Sequence, residues 1–285
     1  MRSPITILIL LSFMIGGCAQ VVRNSFYQPN GSIDSVLPSL PPNGQTISVM
    51  SGDGVRLTGM FWEGSPGKPI IVFFQGRTGG IAEAAAYAAP LHAEGYSLMI
   101  TSYRGYSGNL GKPNEAGLML DGAAFVEAAD IYCGNCPKIL VGHSLGASVA
   151  LNAAKNNTRV VSVVALGAFT DLKAAFPKGF RSLVTERFSN IDHAKQLNRP
   201  VTFIRGRYDD VVSQAQAELL LSVAPKGSIL IVLDKQDHRP SMQTVAPLIA
   251  LAADALNGVM EPLVKVAQRD GFAVFGNNQE SGTKR

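Results

Sequence analysis

From Pro69 onward the chain alternates short apolar runs with longer helix-forming stretches, and few architectures accept that rhythm. The runs Pro69–Phe74, Tyr96–Ser102, Lys138–Gly142, Val160–Leu166, Pro200–Arg205 and Ser228–Leu233 are rich in Ile, Val and Leu. They do not alternate apolar with polar residues, so each predicts a strand covered on both faces. Between and after them, Ala82–Ala93, Glu115–Tyr132, Ser144–Lys155, Ser213–Val223 and Ser241–Leu256 have helical composition. Strand and helix in turn build a mostly parallel sheet with helices on both faces, which places the chain in the α/β class. Ahead of this unit, Thr46–Met50 and Val55–Trp62 flank Ser51-Gly52-Asp53-Gly54 and predict a hairpin. Residues 167–199 interrupt the alternation and predict a short cap insertion.

The chemistry-bearing residues fall at strand ends. Gly142-His143-Ser144-Leu145-Gly146 is a G-x-S-x-G motif, preceded by the apolar Ile139-Leu140-Val141 and followed by the helix-forming Ala147–Ala154. A strand–turn–helix setting exposes a serine hydroxyl at the carboxyl edge of a sheet, while the flanking glycines let strand and helix cross closely. Ser144 is therefore the candidate nucleophile. In the chain order serine, acid, histidine, the bases available downstream are His193 and His238. His238 follows the last predicted strand, where an imidazole can reach the serine; His193 falls in the presumed cap. The acid is expected after the penultimate strand, in Gly206-Arg207-Tyr208-Asp209-Asp210-Val211-Val212. Asp209 fits best, with Asp210 and Asp171 as alternatives. For the oxyanion hole the expected donors are the backbone N–H of Leu145 and that of Arg77, in the glycine-rich Gln75-Gly76-Arg77-Thr78-Gly79-Gly80. The Arg77 side chain is expected to face solvent or to meet an anionic substrate group. Phe169, Phe176, Phe180 and Phe188 either pack the cap or line an acyl pocket. No metal or organic cofactor is implied.

Composition limits the partners. Lys and Arg number 25 against 21 Asp and Glu, and the basic residues are scattered without interleaved aromatics, which argues against nucleic acid. Charged residues make up only 16%, too few for a disordered chain. At the start, Arg2 and the apolar run Ile5–Ile15 suit a signal peptide better than a membrane span. Ile15-Gly16-Gly17-Cys18 resembles the lipobox of bacterial lipoproteins, which implies a lipid on Cys18, a membrane partner and a cell-envelope location. Ala19 after the cysteine implies sorting to the outer membrane, facing the periplasm. The expected organisation is a signal peptide over 1–17, a Pro-rich tether over 18–44 whose Val21, Val22, Phe26 and Tyr27 can dock onto the body, a catalytic domain over 45–262 containing the 167–199 cap, and a tail over 263–285. With Cys18 lipidated, Cys133 and Cys136 remain as a pair, read as a small disulfide, as free thiols or as a redox or metal site.

Residues 46–257 resemble the α/β-hydrolase superfamily, most of all its alpha/beta-hydrolase-domain branch, whose eukaryotic members include protein depalmitoylases. Three stretches carry the likeness: Gly142–Gly146, Gly206–Val212, and Tyr103-Arg104-Gly105-Tyr106-Ser107-Gly108 followed by Gly111 and Pro113. Two departures stand out. Gln75-Gly76-Arg77 replaces the family's His-Gly-Asn, and Ser102 stands where the family has Asp. The resemblance implies an α/β-hydrolase fold with Ser144, Asp209 and His238 acting on an ester, thioester or amide of an acylated substrate. Peptidase or acyltransferase chemistry on the same three residues, and a non-catalytic envelope lipoprotein, are the competing readings.

Overall fold

The computed structural model describes residues 26–30, 44–176, 178–254 and 261–277. Its strands are β1 (Gln28–Pro29), β2 (Gly44–Met50), β3 (Arg56–Trp62), β4 (Ile70–Phe74), β5 (Thr78–Gly79), β6 (Ser97–Ile100), β7 (Lys138–His143), β8 (Val160–Leu166), β9 (Val201–Gly206), β10 (Ile229–Leu233) and β11 (Ala273–Gly276). The helices are α1 (Ile81–Ala93), α2 (Glu115–Cys133), α3 (Leu145–Ala154), α4 (Asn190–Lys195), α5 (Gln214–Val223), α6 (Met242–Asp254) and α7 (Glu261–Arg269). Nine strands form one sheet in the order β11-β10-β9-β8-β7-β4-β6-β3-β2. The six from β6 to β10 pair in parallel, and the antiparallel pairs lie at the two ends.

The continuous apolar strands behave as sandwiched elements should. Along β4, Ile70, Val72 and Phe74 enter one core cluster, while Ile71 and Phe73 enter the other. Helices α2, α3 and α5 cover the first face, and α1, α6 and α7 cover the second. Every residue of β4, β7, β9 and β10 is buried. The predicted hairpin β2–β3 forms, antiparallel, with Val49 opposite Leu57.

Two boundaries differ from expectation. The folded domain does not end at 262. Helix α7 buries Leu263 and Ala267, and β11 pairs antiparallel with β10, so the residues read as the start of a tail close one edge of the sheet. Within the stretch read as tether, Phe26 and Tyr27 dock onto the body as allowed for, and beyond that β1 pairs in parallel with β5. Cys18, Val21, Val22 and the signal segment lie outside the described residues, as do the last residues of the tail. Residues 167–199 form two short 3-10 turns, Leu172–Ala175 and Lys178–Leu183, followed by α4. Phe169 and Phe188 are buried in the first core cluster, and Phe176 packs against it, so these three pack rather than line an acyl pocket. The Phe180 side chain lies outside the described part.

Candidate active site

The carboxyl ends of β4, β7, β8, β9 and β10 lie side by side in the sheet, and their following loops carry the predicted residues. Ser144 sits between β7 and α3 with φ 53° and ψ −114°, a strained conformation for a residue with a side chain. Its N–H donates to the Leu166 carbonyl at 2.8 Å, which ties the turn to β8. The glycines of the motif answer to close contacts. A Cβ on Gly146 would lie 2.1 Å from the Phe74 carbonyl oxygen, and one on Gly142 would lie 2.3 Å from that of Gly146.

The three expected side chains meet. The Ser144 hydroxyl donates to His238 Nε2 at 3.0 Å. His238 Nδ1 donates to Asp209, 3.0 Å from each carboxylate oxygen. Asp209 Oδ1 also accepts the backbone N–H groups of Val211 (2.9 Å) and Val212 (2.7 Å). Burial alone would raise the Asp209 pKa. The hydrogen bond from His238 and those from the two amides outweigh it and hold the carboxyl below the ordinary range. The alternatives serve other ends. Asp210 is exposed, Asp171 caps the Leu172–Ala175 turn through the Ala174 N–H, and His193 Nδ1 faces Lys155 Nζ at 3.2 Å.

A second histidine, given no role by the sequence, completes the core of the site. His143 is buried, and its Nε2–H donates to the His238 backbone carbonyl at 2.9 Å. Burial, with His238 nearby, lowers its pKa from 6.5 to about 4, so it is a neutral donor at neutral pH. It ties down the loop that carries the base. Its signal was its place inside the G-x-S-x-G motif, but chain order directs the search for a base downstream of the serine.

Leu145 opens α3, and Arg77 lies in the loop between β4 and β5. The Arg77 side chain takes neither expected course: Nη1 donates to the Phe26 carbonyl at 3.1 Å. The Tyr103–Gly108 stretch explains itself here. The Tyr103 hydroxyl donates to the Gln75 carbonyl at 2.9 Å, and the Tyr106 hydroxyl donates to the Arg77 carbonyl at 2.7 Å. Arg104 anchors that stretch, reaching fully buried Asp121 at 2.7 Å and Asp53 at 2.6 Å. Asp53 is held down to about 2, first by its hydrogen bond from Arg104. Away from the site, Cys133 and Cys136 are joined as a disulfide at the end of α2. Among the described residues no cluster of three or more His, Cys, Asp or Glu is arranged to hold a metal ion.

A family model for the alpha/beta hydrolase family matches residues 71–274. The chain belongs to that family. This hydrolase is similar to the protein bem46 of Schizosaccharomyces pombe, with 28% identity over 240 residues covering 78% of this chain and 80% of bem46. With human ABHD12B the identity is 29% over 182 residues, 55% of this chain and 50% of that protein. The Pyrococcus furiosus esterase Pf2001 superposes on the hydrolase with a TM-score of 0.56 at 20% identity, over 86% of this chain and 92% of that one. An esterase domain from Rhodothermus marinus does so with a TM-score of 0.54 at 19% identity, over 76% of this chain and 99% of that one. At such identities the likeness speaks for the fold.

Proposed function

We propose that this hydrolase cleaves carboxylic esters or thioesters through an acyl-enzyme on Ser144. The observation that carries the reading is the unbroken hydrogen-bond relay from the Ser144 hydroxyl through His238 to Asp209. With its Nδ1 proton directed at Asp209, the imidazole presents a lone pair at Nε2 to the serine. His238 takes the hydroxyl proton as Oγ attacks the acyl carbon, and Asp209 stabilises the imidazolium that forms. The oxyanion of the tetrahedral intermediate is received by the N–H groups of Leu145 and Arg77. The Leu145 amide stands at the N-terminus of α3, where the helix field favours negative charge. His238 returns the proton to the leaving alcohol or thiol, and water repeats the sequence to free the acid. Cys18 carries the lipid in this reading and holds the enzyme on the envelope membrane.

A fluorophosphonate probe tests the proposal. It is expected to label Ser144 in the folded protein, with Ser144→Ala unlabelled and its esterase activity reduced by at least ~10⁴-fold. An unlabelled parent chain, or labelling at another residue, refutes it.

A further inference from the structure

The N-terminal side of the described fold lies against the candidate site itself. Residues 26–30 run beside the Gln75–Gly80 loop, with Gln28 opposite Thr78 and Pro29 opposite Gly79. The Gln28 N–H donates to the Arg77 carbonyl at 3.0 Å, and the Asn30 N–H donates to the Gly79 carbonyl at 2.9 Å. In return Arg77 Nη1 binds the Phe26 carbonyl, and its guanidinium lies 5.7 Å from the centre of the Phe26 ring. The other flank reaches the cap. Buried Tyr27 donates its hydroxyl to Glu186, and the Phe26 ring packs 6.2 Å from Phe176 and 6.5 Å from Phe188.

We propose that Phe26–Asn30 is a positioning strap of the hydrolase site, which holds the backbone of Arg77 so that its N–H stays aimed at the developing oxyanion. The inference rests on the hydrolase reading above. Its physical basis is the crowding of one carbonyl. The Arg77 oxygen accepts both from the Gln28 N–H on the strap and from the Tyr106 hydroxyl. Two donors on that carbonyl fix the peptide plane that follows Arg77, and the Tyr103 hydroxyl holds the Gln75 carbonyl two residues back, so the Gly76–Arg77 peptide that carries the Arg77 N–H is anchored on both sides. Half of the residues of Gln75-Gly76-Arg77-Thr78-Gly79-Gly80 are glycines, and Gly79 has φ +85°, so the loop on its own has many conformations to choose among. An oxyanion hole works only when its donors stand where the charge develops, and losing one costs about 10²–10³ in kcat.

The sequence carries a mark of the strap. Gly80 has φ −145°, a conformation open to any residue, yet a Cβ there would lie 2.2 Å from the Asn30 carbonyl oxygen. Glycine at this position makes room for the strap.

Two variants of the full chain test the role. Gly80→Ala pushes Asn30 away. Gln28→Pro, on an exposed residue, deletes the strap N–H that donates to the Arg77 carbonyl. Both are read by kcat and KM on a soluble short-chain nitrophenyl ester, by the affinity of an alkyl boronic acid that forms a tetrahedral serine adduct, and by the affinity of the product carboxylate. The expected result is a kcat lower by about tenfold to a hundredfold, a KM that moves far less, and boronate affinity falling with kcat while carboxylate affinity holds. Folded variants with parental kcat and boronate affinity overturn the strap. So does an equal loss of boronate and carboxylate affinity, which marks general loosening. Gln28→Pro remains readable if Gly80→Ala does not fold. A parent chain inert toward every ester and toward fluorophosphonate refutes the hydrolase reading instead.

Discussion

Replacing Asp209 by asparagine separates the charge of the acid from its scaffold role, and the structure decides which way the new amide turns. In the parent, Oδ1 accepts the Val211 and Val212 N–H groups, Oδ2 accepts neither, and His238 Nδ1 lies 3.0 Å from both oxygens. Two amide donors need an acceptor, so the asparagine oxygen stays at the Oδ1 position. Its NH₂ group then occupies the Oδ2 position and donates to Nδ1. The imidazole is driven into the tautomer with its proton on Nε2, facing the Ser144 hydroxyl it should accept from. The tautomer is wrong with the geometry intact, a defect that lowers kcat by about 10⁴ in serine hydrolases. At 1.36 kcal/mol per tenfold, that is about 5.5 kcal/mol of transition-state stabilisation. The assay is steady-state hydrolysis of a soluble nitrophenyl ester, with KM and the urea unfolding midpoint measured beside kcat. The expected pattern is a lost kcat with KM and midpoint close to the parent. Activity within tenfold of the parent would refute the relay. Loss of kcat together with unfolding would place Asp209 in loop stability alone.

Acid weakens the fold through His143. Burial lowers its pKa to about 4, whereas the unfolded chain takes up the proton near 6.5. Stability is therefore full above about pH 7 and falls as the pH drops toward 4, by about 2.5 kcal/mol at pH 4.5 from this residue. His193, lowered to about 4 by burial and by Lys155, adds in the same direction. Asp209 contributes further down, as its depressed pKa is crossed and the carboxylate is lost. Urea unfolding at pH 7.5 and 4.5 should show a smaller difference in His143→Gln than in the parent, and equal differences would sink the argument. Arg104→Ala leaves the fully buried Asp121 carboxylate without its cation, which costs about 3–5 kcal/mol; a melting curve close to that of the parent would contradict the role given to Arg104.

Much of this was readable from local pattern. Strands buried on both faces are largely apolar, so β4, β7, β8, β9 and β10 stood out as runs rich in Ile, Val and Leu. The strained serine turn requires small neighbours, and Gly142 and Gly146 announce it. A parallel sheet brings its carboxyl ends to one edge, so the loops after β7, β9 and β10 had to converge, and with them Ser144, Asp209 and His238.

What stayed hidden depends on contacts between segments with no shared pattern. Strand β1 has two residues, one of them a proline, and in a Pro-rich stretch nothing distinguishes it from a linker until Thr78 and Gly79 lie beside it. Helix α7 is too polar, and the four-residue β11 too short, to announce a core; β11 gains its place because β10 offers an open edge, and α7 turns only Leu263 and Ala267 inward. His143 and the side chain of Arg77 were visible as letters without partners, since a backbone carbonyl leaves no trace in composition. Periodicity and motif follow from the chemistry of neighbours along the chain. The strap, the second histidine and the closing edge follow from which carbonyls and amides the folded chain brings within hydrogen-bond reach, and three-dimensional proximity alone sets that.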